Sequence, residues 1–257
     1  MEEKRRSRTR MILLVVIWVL LLALCLSFLS ILASQFAKNP QGESISSSSW
    51  AGYIVSKVTS AKVEVASISA SWAVPTITAS AGSSYSSMWI GVGGQLEKTL
   101  IQVGTEQDVS DGQYMYYAWY ELLPSFAVRL TAMTVSPGDV MAASISLSDS
   151  TTNRWSIKIS DITTGQDFST TVTYNSSRTS GEWIIERPML SSKLTTLADF
   201  GSVTFKDCHL NANNISGSIS KFYFSRMEMA NSQNVELASV STLAANGTSF
   251  TVNYILE

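Results

Sequence analysis

The chain has 257 residues, of which 45% are hydrophobic and only 15% are charged, and its formal net charge is −2. This balance excludes the basic surface that nucleic-acid binding requires, while the hydrophobic share is large enough for a sizeable core. Soluble domains usually carry about 25% charged residues, so polar uncharged side chains must cover much of this surface.

The first 33 residues have the pattern of a membrane-targeting segment. Residues 1–10 are basic, and residues 11–33 contain no charged side chain. As a helix, residues 11–33 would span about 35 Å, against a hydrocarbon core of about 30 Å. Basic residues before the apolar segment favour a cytoplasmic N-terminus and an exported remainder.

Two outcomes for this segment stay open, a transmembrane anchor and a cleaved signal peptide. The segment is longer than the apolar core of about 7 to 15 residues that signal peptides carry. The best cleavage site, after Ala33, has Ile31 where a small residue is expected. The sequence predicts a single-pass membrane protein with an extracellular domain, or a secreted protein if the segment is cleaved.

Residues 34–48 are polar and rich in serine, which is typical of a linker. From residue 49 to 257, short segments alternate apolar residues with serine or threonine, and turn signals such as Pro137-Gly138-Asp139 separate them. No long helical period occurs here. The pattern predicts one all-β domain, an antiparallel two-sheet β-sandwich or jelly roll.

The segment "EWIIERP" raises the first question about function. In a strand, Glu182, Ile184 and Glu186 share one face, and Trp183 and Ile185 share the other. A strand with one apolar face thus lines its second face with two carboxyl groups.

Most familiar catalytic groups are missing from this chain. The only histidine is His209, and there is no HExxH motif, no zinc-spaced Cys/His cluster and no phosphate-binding loop. We therefore expect no metal and no cofactor, and any catalysis must use carboxyl and amide groups. A glycosidase pair of Glu182 and Glu186 fits poorly, because the two backbones lie about 13 Å apart and glycosidase carboxyls lie about 5 to 9.5 Å apart. A cross-strand partner such as Glu121 stays open.

Other polar residues occupy similarly apolar strands. Gln102 lies in "LIQVGTEQ", Trp119 and Glu121 share a face in "YYAWYELLP", and Trp89 precedes a glycine-rich turn. Tryptophan, carboxyl and amide groups on sheet faces are typical of a groove that binds an extended polymer. The alternative is a solvated sheet face with half-buried tryptophans.

Taken in order, these segments resemble blocks of the glutamic peptidases, the eqolisin family. The resemblance covers nearly the whole exported part. The blocks are "SSSSWAGYIV" (46–55), "ASWAVPTI" (70–77), "MWIGVGG" (88–94), "LIQVGTEQ" (100–107), "YYAWYELLP" (116–124), "TVSPGDVMAASI" (134–145), "ITTGQ" (162–166), "EWIIERP" (182–188) and "LADFGSVTF" (197–205).

The resemblance implies a lectin- or glucanase-like sandwich and an acid-acting endopeptidase that cleaves proteins or peptides. It assigns catalysis to Gln102 and Glu186, with Glu182 as the second choice for the glutamate, and substrate binding to Trp89, Trp119 and Glu121. Glu186 would act as general base and then as general acid, while Gln102 would stabilise the oxyanion. We further expect a monomer.

The sequence departs from the fungal members at three points. Gly93 stands where they have aspartate, and Cys208 has no disulfide partner in the exported part. The segment between Ala33 and Trp50 is too short for their usual propeptide. Two other readings stay open, a carbohydrate-binding or glycan-hydrolysing sandwich and an inactive adhesin. Sequons for N-glycosylation occur at Asn175, Asn214 and Asn246.

Overall fold

The alternation of apolar and small polar residues produces strands throughout the exported domain. A computed structural model describes residues 44–56, 63–78, 82–95 and 97–255, and in this part the only helical element is a 3₁₀ turn at Ile219–Lys221. The strands are Ser44–Ser47 (β1), Trp50–Ser56 (β2), Val65–Ala73 (β3), Ser84–Gly93 (β4), Leu100–Ser110 (β5), Gln113–Leu122 (β6), Val128–Arg129 (β7), Val140–Asp149 (β8), Arg154–Asp161 (β9), Gln166–Thr173 (β10), Ser180–Glu186 (β11), Met189–Leu190 (β12), Lys193–Leu194 (β13), Ser202–Ala212 (β14), Ile215–Ser218 (β15), Phe224–Ala230 (β16), Glu236–Val240 (β17) and Phe250–Tyr254 (β18).

The prediction of an all-β domain is confirmed, although sixteen strands form one continuous hydrogen-bonded sheet where two sheets were expected, and β12 pairs with β13 apart from it. The strand order is β10-β9-β8-β3-β14-β18-β17-β16-β2-β11-β4-β5-β6-β7, with β1 beside β16 and β15 beside β14. All these pairs are antiparallel except β1 with β16. β1 lies inside the predicted linker, so strand structure begins at Ser44.

Strand β14 joins the two parts of this sheet. Its first residues pair with β18, and its later residues pair with β3 after a register shift between Lys206 and His209. Such irregularities bend a strand and turn its sheet. The two parts then pack on each other, since the Trp72 indole on β3 donates a hydrogen bond to the Thr105 hydroxyl on β5 at 3.1 Å.

The main hydrophobic core fills the space between these two parts. It takes Trp183 and Ile185 from β11, and Trp72 and Trp155 from the other part of the sheet. A second, smaller apolar cluster lies on the opposite face of β11 and its neighbours, and consists of Ile54, Trp89, Leu100, Trp119, Ile184 and Met227.

Within the described residues, no helix is long and apolar enough to cross a membrane. The predicted membrane segment, residues 11–33, lies outside them. Cys208 is buried and carries a free thiol.

Candidate active site

Strands β2, β11, β4, β5 and β6 lie side by side, and one of their faces carries all the predicted site residues. We call this the groove face. Strand register sets two rows on it. In the first row Glu182 pairs with Gly91, Gly91 with Gln102, and Gln102 with Glu121. The side chains of this row therefore point the same way on neighbouring strands.

The second row runs parallel to the first at the far end of β11. In it Glu186 pairs with Ser87, and Ser87 pairs with Glu106 on β5. Trp89 lies between the two rows, because it pairs with Ile184 and with Gly104. A Cβ at position 104 would lie 2.6 Å from the Trp89 Cβ, so only glycine lets the tryptophan pack here.

Trp89 holds the Glu186 side chain. Its indole Nε1 donates a hydrogen bond to Glu186 Oε2 at 2.8 Å. Burial raises the pKa of Glu186 to about 7, hydrogen bonds from Trp50 and Trp89 oppose that rise, and the charge of Glu121 adds to it.

Gln102 is held from the neighbouring strand. Its Nε2 donates a hydrogen bond to Glu121 Oε2 at 2.5 Å, and its side chain is only 5% exposed. Gln102 Oε1 is buried and has no hydrogen-bond partner among the described residues. Because a buried polar atom without a partner is costly, this oxygen is suited to receive a hydrogen bond from a bound molecule. Burial also raises the pKa of Glu121, while its bond with Gln102 lowers it.

The two candidate glutamates of β11 have different surroundings. Glu182 is fully buried, and burial raises its pKa well above the ordinary value. An added Cβ at Gly91 would lie 2.8 Å from the Trp89 ring and 2.9 Å from the Leu100 side chain. These two side chains therefore occupy the space between Glu182 and Gln102. Glu186 keeps part of its surface exposed. Of the two residues, only Glu186 is accessible to a substrate.

Sequence reasoning missed a second group of ionisable residues beside Glu186. Glu106 and Asp108 point from β5 to the groove face, and Tyr117 on β6 pairs with Glu106. The Tyr117 hydroxyl points at Asp108 Oδ2 across 3.5 Å, and the Arg129 guanidinium lies over the Tyr117 ring, 4.3 Å from its centroid. The sequence does contain a signal for Glu106 and Asp108. Both follow Gln102 at an even number of residues along the strand, which places them on the same face as the glutamine.

Burial governs the ionisation of this pair. It raises the pKa of Asp108 to about 7, against the hydrogen bonds of Glu106 and Tyr117 and the charge of Arg129. Burial also raises the pKa of Glu106 well above its ordinary value, and the charges of Asp108 and Glu186 add to this effect. In acid, both carboxyl groups therefore hold their protons.

Metal ligation is not suggested by the described part of the chain, where no three His, Cys, Asp or Glu side chains converge on a common point. A cavity of about 350 Å³ lies against the segment after β6, lined in part by Tyr120, Leu130 and Phe168. Neither Gln102 nor Glu186 lines it, whereas Arg129 does.

Fold and site together define a class of protein: an all-β domain whose candidate active site is built from carboxyl and amide groups. The sequence model of the Peptidase A4 family matches residues 48–254, and the chain belongs to this family. The predicted enzyme class, a glutamic peptidase of the eqolisin type, is thereby confirmed.

Two characterised relatives agree with this assignment. The chain is 29% identical over 236 residues to Scytalidopepsin B of Scytalidium lignicola, an alignment that covers 87% of this chain and 84% of the relative. It is 35% identical over 124 residues to Aspergillopepsin-2 of Aspergillus niger, which covers 46% of this chain and 43% of the relative. The second alignment thus spans less than half of Aspergillopepsin-2.

Solved structures share the fold. Aspergilloglutamic peptidase from Aspergillus niger is 29% identical, with a TM-score of 0.59 over 67% of this chain and 99% of that one. Scytalido-glutamic peptidase with a transition state analog inhibitor is 24% identical and gives a TM-score of 0.69 over 81% of this chain and 98% of that one. At that identity the second likeness speaks for the fold alone.

Proposed function

We propose that this chain is an acid-acting endopeptidase in which Gln102 and Glu186 activate water for hydrolysis of a peptide bond. One observation carries the assignment of residues. Glu121 holds Gln102 through a 2.5 Å hydrogen bond, and the strand register puts Gln102 and Glu186 on the same face of the sheet. We further propose that Trp119, which is 5% exposed, forms the floor on which the substrate chain lies, and that the fully buried Trp89 supports this floor from beneath.

Peptide hydrolysis needs an activated water, a donor for the oxyanion and a proton for the leaving nitrogen. Gln102 Oε1 can accept a hydrogen bond from the attacking water, and the second Nε2 hydrogen can donate to the developing oxyanion. Glu186 supplies the proton transfers as base and as acid. Glu121 fixes the amide so that both functions point into the groove.

The protonation state of Glu186 decides where the cycle begins. With a pKa of about 7, the carboxyl of the free protein carries its proton in acid. Its O–H then gives its proton to the substrate carbonyl oxygen, while its other oxygen takes a proton from the water that attacks the carbonyl carbon. The result is a neutral tetrahedral diol and a Glu186 that is protonated again. A second exchange moves a proton from Glu186 to the leaving nitrogen and one from the diol to Glu186, and the C–N bond breaks.

Localisation, assembly and architecture enter as proposals that rest on the sequence pattern. We propose that residues 11–33 anchor the protein by one helix with the catalytic domain outside, or direct its secretion if they are cleaved, and that the protein is a monomer. We also propose that the two parts of the sheet form a sandwich of the lectin and glucanase type, preceded by that helix.

The test compares the soluble fragment from residue 38 to 257 with its Glu186→Gln and Gln102→Ala variants. Digestion of an acid-unfolded protein is followed from pH 2 to 7. We expect cleavage by the parent in acid and none by either variant. Equal cleavage by parent and variants would refute the assigned dyad, whereas a folded parent that cuts nothing but binds glycans would support the carbohydrate-binding alternative.

A further inference from the structure

Arg129 is a cationic residue on the groove face, and it takes no part in the proposed peptidase mechanism. It forms the two-residue strand β7 at the edge of the sheet and pairs with Trp119, which places it beside the tryptophan floor. The guanidinium carbon lies 4.3 Å from the centroid of the Tyr117 ring. Stacking on an aromatic face restricts the motion of an arginine side chain and leaves the N–H edge of its guanidinium free to bind a planar anion.

The Arg129 guanidinium has no ion pair and no side-chain hydrogen bond with any residue that the structure describes, and the residue is exposed. Exposed arginines are often unpaired, but most are also free to move. Arg129 differs because its contact with the Tyr117 ring holds the guanidinium on the groove face.

The groove-face acid beside Arg129 does not neutralise it in acid. The titratable groups that the structure places near Arg129 are Tyr117, beneath its guanidinium, and Asp108, which the Tyr117 hydroxyl faces, while Asp167 on β10 lines the same cavity as Arg129. Burial raises the pKa of Asp108 to about 7 and that of Tyr117 above its ordinary value, so both are neutral in acid. Among Arg129, Tyr117 and Asp108, Arg129 is then the ionised group.

We propose that Arg129, supported by Tyr117, forms a subsite that selects a carboxylate on the bound peptide, supplied by an aspartate or glutamate side chain or by the free C-terminus. This inference rests on the proposed function and names a substrate preference for the same groove. Arginine suits the task because its fork donates two parallel hydrogen bonds to one carboxylate.

The preference has a defined pH window. Aspartate, glutamate and C-terminal carboxyls of a peptide ionise with pKa values of roughly 3.5 to 4.5. Asp108 loses its proton only near pH 7 and then pairs with Arg129. Between these limits the substrate is anionic while the subsite is cationic. We therefore expect the preference to be strongest near pH 5 and to weaken both below pH 3 and above pH 7.

The experiment measures kcat/KM at pH 5 for peptides that differ only by glutamate, glutamine or lysine at one position, scanned along both sides of the cleaved bond. We expect glutamate to exceed glutamine by about tenfold at one position, since a charge-assisted bidentate pair is worth that much. Arg129→Gln should bring the ratio to about one, and Arg129→Glu should favour lysine there. Peptides with free and amidated C-termini separate the terminal carboxylate from a side chain.

Matched variants keep the outcomes distinct. Lys158→Gln removes one exposed cation from β9, outside the groove face, and should keep the full preference. Tyr117→Leu should lower the glutamate-to-glutamine ratio, mainly through a higher KM for the glutamate peptide, because the ring positions Arg129. A preference that survives Arg129→Gln, or a parent with no preference at any position, would overturn the inference while leaving the peptidase assignment intact. Failure to cleave any peptide would instead overturn the proposed function, and this inference with it.

Discussion

The two faces of β11 are both largely buried, but they carry chemically different side chains. Trp183 and Ile185 enter the main core, where the Trp183 indole also donates a hydrogen bond to the Ser69 carbonyl at 3.0 Å. Glu182 and Glu186 lie on the other face among Ile54, Trp89 and Ile184, where burial raises their pKa values. The core face therefore contributes stability that does not depend on pH. On the groove face, stability and catalysis both depend on whether the carboxyl groups are protonated.

The largest expected effect is on catalysis at the groove face. Glu186→Gln keeps the shape of the side chain and its contact with Trp89 but removes proton transfer, so kcat/KM should fall roughly 10²- to 10⁴-fold with the fold unchanged by circular dichroism. Glu182→Gln is the matched control on the same strand and face, and it should keep most of the activity. The reverse ranking would move the catalytic role to Glu182.

The next effect belongs to the core face. Trp183→Ala removes a fully buried ring and leaves the Ser69 carbonyl without its donor, and should lower the free energy of unfolding by about 3 to 5 kcal/mol. Urea unfolding at pH 4 measures this change, and the same loss should recur at pH 6. A loss that depends strongly on pH would contradict the separation of the two faces.

The third prediction concerns stability against pH. The folded pKa values of Glu106, Asp108, Glu121, Glu182 and Glu186 are all raised, so between the ordinary carboxyl value and the raised value the folded state binds more protons than the unfolded state. The free energy of unfolding must then fall as pH rises through this window.

Each buried carboxyl that titrates only on unfolding contributes up to about 1.4 kcal/mol per pH unit to this slope. Glu182→Gln removes one such group, and should make the decline between pH 5 and 7 shallower without raising stability at pH 3. Thermal unfolding across this range measures the slope. An unchanged slope would mean that Glu182 does not hold a proton in the folded state.

The smallest effect concerns the position where fungal members have aspartate. Gly93 has a φ of +88°, and a Cβ there would lie 2.5 Å from the Thr99 carbonyl oxygen. Gly93→Asp should therefore cost about 1 to 3 kcal/mol, with no gain in activity. Gly112→Ala is the control, because Gly112 has a φ of +75° with open space around its Cβ position. Equal losses at the two positions would show that φ alone matters and the clash does not.

The sequence was most informative where its local pattern had one structural outcome. Alternation in "EWIIERP" predicted which residues of β11 share a face, and the structure agrees because a strand allows only one such arrangement. The family blocks predicted the groove-face residues Gln102, Glu121, Trp89 and Glu186, and these do share that face. The bend at β14 was not predictable, because a register shift depends on both partners of a strand.

The site's electrostatics were equally hidden from the sequence. Glu106 and Asp108 lie in the quoted segment "TEQD" at alternate positions, yet nothing local to them indicates burial or the approach of Arg129 from β7. Segments distant along the chain meet there, and the resulting desolvation raises the pKa of both acids.

By itself, the sequence determined the all-β class, the family and the membership of the groove face, since these follow from periodicity and from motifs in order. Only the tertiary structure distinguishes the surroundings of Glu182 and Glu186, because Trp89 and Leu100 lie over Gly91 beside the fully buried Glu182, whereas Glu186 keeps part of its surface exposed and accepts a hydrogen bond from Trp89. Periodicity treats the two residues alike, whereas solvent access is a property of the packed molecule.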